Sequence, residues 1–209
     1  MNQDSSREPS LRDKLKEATK SAILDAAEAV FAEKGMATAR MEDVAKSAGV
    51  AVGTLYNHVG DRDQLLRALL DDRRAALLER LDESIRGKGS ASFEELFRAL
   101  LETLAEHFHV HGRLFVLLRE EERAGRPAPG RESTLEAILA RIQQVTDRGV
   151  RSGALRVDHA ELFAPLLLGM VRGLMVHRIG SAAPLDGDAV HAKFRALGDV
   201  FLEGARKRG

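Results

Sequence analysis

The segment from Val52 to Arg62 gathers Thr54, Tyr56, Asn57, His58 and Arg62, five hydrogen-bond donors within eleven positions. A phenol hydroxyl, an imidazole N–H and a guanidinium donate at surface reach, and an asparagine amide both donates and accepts. Side chains of this kind suit a nucleic acid. Phosphate contacts fix position without reading sequence. Base edges in the major groove carry a donor and acceptor code, in which asparagine pairs with adenine and a side chain such as Val52 meets the thymine methyl. Gly53 removes a side chain where a backbone must come close; its alternative is a tolerated helix glycine. Arg62 is expected in the first turn of a helix, where a cation opposes the macrodipole. The same helix end attracts anions through its free N–H groups, so an arginine beside it makes sense if a phosphate docks there. Otherwise Arg62 is an ordinary surface arginine and His58 a solvent-facing histidine. Arg40 and Lys46 are further candidates for DNA contact.

Other chemistry is sparse. His107, His109 and His111 alternate, so only His107 and His111 share a helical face. Such a pair can hold a metal, but no third ligand is evident and no metal is expected. Glu120, Glu121 and Glu122 form an acidic run with a basic residue at each end, read as a solvated helix face. No phosphate-cradling loop or convergent acid, base and nucleophile set is found, so no cofactor and no catalysis are expected. A helical enzyme and a protein-binding adaptor stay open as rival readings.

Composition narrows the class. The 209 residues include no cysteine, which excludes disulfides, thiolate metal sites and thiol redox sensing. The net charge is zero, and residues 1–70 hold 10 Lys/Arg against 11 Asp/Glu, so bulk charge lends nothing to DNA binding. Any DNA contact must come from where particular residues sit. The polar start is unlike a signal peptide and no apolar run approaches membrane-spanning length, so no membrane is expected and the cytoplasm is the expected compartment.

Helix periodicity dominates the elements that position these groups, and no period-two strand is convincing. Nine helices are expected, in an all-α fold. Ser10 caps the first, which stops at Gly35. Two short helices follow, about 41–48 and 52–58, with Gly49 and Val50 between them. Asp61, with Gln64 as capping-box partner, opens a helix to about Arg86. After the break at residues 87–90, Phe93, Leu96, Phe97, Leu100, Leu101, Leu104 and Phe108 form one helical stripe. A short helix over Leu114–Leu118 precedes a breaker at 124–130, and another runs from Glu132 to Arg151. Asp158 and Glu161 suggest a capped start for an apolar helix ending near Gly180 and kinked at Pro165. The last helix carries Val190, Phe194, Leu197 and Phe201. The organisation predicted is a disordered tail (1–10), a DNA-binding domain (11–60, motif about 40–59), a connecting helix (61–86) and a ligand-binding and dimerisation domain (87–209).

The stretch Met41–Val59, MEDVAKSAGVAVGTLYNHV, meets the helix-turn-helix requirements: Ala45 is small where two helices cross, Gly49 makes the turn, and Val44, Ala48, Val50 and Leu55 pin both helices to a third. Over Ile23–Leu69 the chain resembles the tetracycline-repressor (TetR) family, most tellingly in the Ala48-Gly49-Val50 turn, the run Gly53-Thr54-Leu55-Tyr56-Asn57-His58, and the charged, capped helix start followed by Leu65-Leu66. Ala39 and Arg40 depart from the Ser or Thr usual there, so the cap falls to Thr38 or is missing. Ala51 replaces a frequent serine, and Val59 a phenylalanine.

The resemblance implies a transcriptional regulator, a repressor or an activator, that binds a near-palindromic double-stranded operator as a homodimer. Tyr56 and His58 are similar to the family's phosphate-binding pair. The resemblance also implies an inducer site in the C-terminal domain, for which Phe93, Phe97, Leu101, Leu104, Phe108, Phe115, Met170, Leu174 and Met175 are candidate lining residues; plain packing is the alternative. Arg172 and His177 interrupt an apolar helix and would meet a polar ligand group or the partner subunit. The last two long helices would pair with their dimer mates through Gly169, Gly173, Phe194, Leu197 and Phe201. An apolar or amphipathic small-molecule inducer is expected.

Overall fold

The structure, a computed structural model, describes residues 10–86, 91–123, 125, 129–179 and 186–206. The predicted disordered tail (apart from Ser10), the break at 87–90, most of the breaker at 124–130 and the end of the apolar helix at Gly180 lie outside them. The helices are α1 (Leu11–Lys34), α2 (Met41–Ser47), α3 (Val52–Val59), α4 (Arg62–Arg86), α5 (Phe93–Arg123), α6 (Arg131–Arg151), α7 (Phe163–Ile179) and α8 (Gly187–Ala205), with a 3₁₀ turn at Ala160–Leu162. The all-α expectation is met, with eight α-helices rather than nine among the described residues. The two helices expected within residues 93–118 are one, because His109-Val110-His111-Gly112 contains no breaker strong enough to interrupt the stripe shared by Phe108 and Phe115.

Local chemistry explains most boundaries. Ser10 and Asp13 form a capping box, with the Asp13 amide donating to Ser10 Oγ at 3.2 Å. Gly49, at φ +67°, makes the sharp α2–α3 turn in a backbone region that other residues enter only at a cost. The expected capped start at Asp158 is not formed. His159 takes a left-handed φ of 61°, the 3₁₀ turn follows, and α7 begins only at Phe163. Pro165 therefore sits in the first turn of α7, where its missing N–H interrupts nothing, so the predicted kink has no cause there.

The chain divides into two compact units, residues 1–71 and 72–209, with α4 contributing to both. In the first, Ile23, Leu24, Ala27 and Phe31 of α1, Val44 and Ala45 of α2, Leu55 and Val59 of α3, and Leu65 and Leu69 of α4 are buried. Each fully buried leucine or phenylalanine contributes roughly 1.5–3 kcal/mol relative to exposure, enough together to fix two short helices that would not persist alone.

The second unit packs α5 beside α6 and α8, and α7 beside α6 and α8, so α5 and α7 face each other diagonally. One core joins Leu77 and Leu81 of α4 to the α5 stripe, Ile142 and Val145 of α6, Leu167 of α7 and Phe194 of α8. Two glycines mark close approaches that no larger residue would allow: a Cβ on Gly198 would lie 2.6 Å from Leu101, and one on Gly149 would lie 2.7 Å from the Phe93 ring. A polar tie supports the packing. Arg141 of α6 grips Asp82 of α4 with Nε and Nη2, at 3.1 and 3.0 Å, and Arg86 adds a contact at 3.2 Å.

Candidate nucleic-acid interface

The scaffold of the α3 site is apolar and its face is polar. Leu55 and Val59 are buried and anchor α3 on α1 and α2. At 100° per residue, that anchorage turns Gly53 and Asn57 outward, with Val52 and Tyr56 on one flank and Thr54 and His58 on the other. Gly53 and Asn57 are exposed, Tyr56 is 45% exposed and Val52 37%, while Thr54 is half-buried. Exposed tyrosine and valine on an eight-residue helix contribute little to folding. They are available to a partner.

Gly53 is informative because the protein does not require it: a Cβ there would meet nothing within 4 Å. Neither close packing nor positive φ explains a glycine as the second residue of α3. His58 lies on the other flank of α3, half-buried, with Nδ1 turned into the protein and unpartnered.

Neighbouring elements orient α3. The α2 cap does not fall to Thr38, whose hydroxyl donates to the Lys34 carbonyl. Instead Asp43 accepts from the Arg40 amide at 3.2 Å and from Lys34 Nζ at 2.6 Å, joining the end of α1 to the first turn of α2. Those two donors, Lys34 first, hold the Asp43 carboxyl below its ordinary range. Neither Lys34 nor Asp43 is singled out by sequence pattern, although an acidic residue three positions after a cap position was the available signal. The side chains of Arg40, at the N-cap of α2, and Lys46, on α2, are exposed, and Arg62, half-buried, is the first residue of α4. The Val50 amide donates to the Ala45 carbonyl at 3.0 Å, closing the turn between the crossing helices.

The expected C-terminal sites are placed differently from one another. Phe97 and Leu101 are close-packed: Phe97 stacks on Phe201 at 5.6 Å, and both press on Gly198. Leu104 and Phe108 are buried, and Phe115, Met170, Leu174 and Met175 are partly buried against the same core. His177 requires correction. It is exposed on α7, as is Arg172, and does not join that set.

The dimer set also divides. Phe194, Leu197 and Phe201 are 2%, 8% and 6% exposed, filling the core of their own subunit and leaving little surface for a partner. Gly169 and Gly173 are exposed with open space above them. The outward apolar residues are Leu166 (55% exposed) and Val176 (39%) on α7 and Val200 (61%) on α8. A further correction concerns Ala160–His177, which is long and apolar enough by length and composition to cross a membrane. Among the described residues no group of three or more potential metal ligands occurs; His107 and His111 lie with ring centroids 4.7 Å apart.

A short exposed helix, set by a glycine turn on a buried three-helix scaffold, defines a helix-turn-helix DNA-binding protein. Comparison with known proteins names the family: residues 23–69 match the bacterial regulatory proteins of the tetR family. The chain is 36% identical over 69 residues to the fatty acid metabolism regulator protein of Bacillus subtilis, covering 33% of this chain and 36% of that protein. It is 28% identical over 201 residues to the transcriptional repressor KstR2 of Mycobacterium tuberculosis, covering 87% and 92%. The crystal structure of the regulator FadR from Bacillus subtilis in complex with stearoyl-CoA superposes with a TM-score of 0.68 at 20% identity, over 88% of this chain and 98% of that one, a likeness of fold. Residues 23–69 are thus a helix-turn-helix module of the tetR-family type, and the rest of the chain shares the fold of regulators in that family.

Proposed function

We propose that this regulator is a repressor that grips a near-palindromic double-stranded operator as a homodimer and releases it when a small apolar or amphipathic ligand binds. The observation that carries the DNA reading is the outer face of α3, where Gly53 lacks any internal reason, Asn57 points away from the scaffold and Tyr56 is exposed beside it. Val52 and Asn57 are assigned to base edges. Thr54 lies beside them. Tyr56 and His58, on opposite flanks of α3, are assigned to phosphates on the two rims of the groove, and Arg62 with Arg40 and Lys46 to the adjoining backbone. Residues 11–60 form the DNA-binding domain, 61–86 the connecting helix, and 87–209 the ligand-binding and dimerisation domain.

A second copy is the occupant proposed for the outer face of α7 and α8. Leu166, Gly169, Gly173 and Val176 share one helical side, and Ala192, Ala196 and Val200 supply small apolar residues on α8. Two glycines with open space above them leave room for a partner helix to come close. This face accounts for the apolar character of α7 without a membrane, and Arg172 and His177 at its edge suit a protein partner better than lipid. The cytoplasm is the compartment in which such a protein meets its operator.

The ligand reading draws support from FadR, which binds stearoyl-CoA, and from the partly buried Phe115, Met170, Leu174 and Met175. Methionine adapts to varied apolar shapes. The test is a gel shift of the full chain on fragments of its own upstream region. A discrete shift that survives excess unrelated DNA is expected; binding to no fragment over the competitor contradicts the reading.

A further inference from the structure

We propose that Arg119 binds the anionic head of the ligand, which makes that ligand an amphipathic acid rather than a neutral or cationic compound. The inference deepens the ligand reading above and rests on it. On α5, Phe108, Gly112, Phe115 and Arg119 recur at intervals of four, three and four, one side of the helix. That side begins in the core at Phe97 and Leu101, so Arg119 is where an apolar stripe ends in a cation. Arg119 is half-buried, and its Nε is shut off from solvent with no hydrogen-bond partner among the described residues. A buried donor left unmade destabilises a fold, most of all on a charged group.

The surroundings give the ligand its shape. Phe108 and Phe115 stack with centroids 6.1 Å apart, and the buried His107 meets Phe115 edge-on at 5.7 Å. Across the bundle, α7 places Met170 and Met175 partly buried against the same core. From Arg119 to Phe108 is about 16 Å along the helix axis, the reach of a medium-length acyl chain. A guanidinium presents a planar fork that receives a carboxylate or phosphate bidentately. The head group on Arg119 and the chain along Phe115 toward Phe108 would then be held by one helix.

The experiment measures binding of laurate and of its neutral methyl ester to the full chain, for wild type, Arg119→Met and Arg119→Lys. Laurate affinity should fall about tenfold or more in Arg119→Met, the effect of losing a charge-assisted hydrogen bond. Methyl laurate affinity should be unchanged, and Arg119→Lys should recover part of the loss. Ligand-free Arg119→Met should melt no lower than wild type, since an unpartnered donor is removed. Equal laurate affinity in wild type and Arg119→Met, equal losses for both compounds, or no binding of either to wild type overturns the assignment. Operator affinity is measured separately. Anion-selective binding through Arg119 that leaves DNA affinity unchanged would keep the site and remove the induction reading, whereas release by a different ligand would do the reverse.

Discussion

Asp61 and Gln64 cap each other: the Gln64 amide donates to Asp61 Oδ1 at 2.9 Å, and the Asp61 amide donates to Gln64 Oε1 at 2.9 Å. The amino terminus of α4 is thereby partly satisfied from within, and a carboxylate already sits at the helix end that would collect an anion. A phosphate drawn to Arg62 must be held mainly by the guanidinium itself. Asp61→Ala should lower stability by about 1 kcal/mol, the worth of an N-cap, measured by urea unfolding. Asp61→Ser keeps an acceptor and loses the charge, so it should hold stability while tightening binding to every DNA sequence. If Asp61→Ser binds no DNA more tightly, this helix end lies away from the phosphates.

Gly53 separates folding from function. Gly53→Ala should raise stability by up to about 1 kcal/mol, because alanine is the better helix former and a Cβ there meets nothing. It should also weaken operator binding by occupying the space in which DNA comes close. Thermal melting and titration of one DNA fragment check both signs. Unchanged DNA affinity would return Gly53 to a tolerated helix glycine.

The Asp82–Arg141 tie sets an acid dependence in the second unit. Hydrogen bonds from Arg141, together with the charges of Arg141 and Arg86, hold the Asp82 carboxyl below its ordinary value of 3.8. A depressed carboxyl stabilises the fold above its unfolded pKa, and that contribution disappears as pH falls through the folded value. Arg141→Met should therefore cost about 1 kcal/mol at neutral pH, and the difference from wild type should shrink below about pH 4. A difference that persists undiminished at pH 2 would assign the loss to packing by the Arg141 stem.

The dimer face makes its own prediction. Gly173→Leu fills space that is open in the single chain, so the subunit should fold and the dimer should not form, giving monomer or aggregate by light scattering. Phe201→Ala, by contrast, should lower subunit stability by roughly 3–5 kcal/mol, as a core truncation does. A DNA-competent dimer from Gly173→Leu removes this face from the interface.

Much of the site was legible because its signals are local. The glycine turn at Gly49, the Asp61–Gln64 cap and the burial of Leu55 follow from spacing within a few residues. The α8 stripe shows where local pattern ends. Val190, Phe194, Leu197 and Phe201 form a clear apolar face, but periodicity says only that a face is covered, not whether its own subunit or a partner covers it. Here the subunit does. Close helix approach was expected at Gly169 and Gly173 and is found within the subunit at Gly198, because glycine spacing along one helix carries no information about the other. Arg119 was missed for the same reason: its unpartnered Nε is a property of what surrounds it.

In the function proposed above, α3 reads bases while Arg62 only positions. The direct measurement is binding of wild type, Asn57→Ala and Arg62→Ala to a randomised duplex library at two salt concentrations. Wild type should select a two-fold-symmetric site. Asn57→Ala should cost roughly 1–3 kcal/mol on that site and blur one symmetric base pair. Arg62→Ala should weaken all sequences alike and make the log–log salt slope shallower by about 0.9 for each phosphate it no longer neutralises, about twice that per dimer. An altered preferred sequence in Arg62→Ala, with uniform weakening in Asn57→Ala, would reverse these roles.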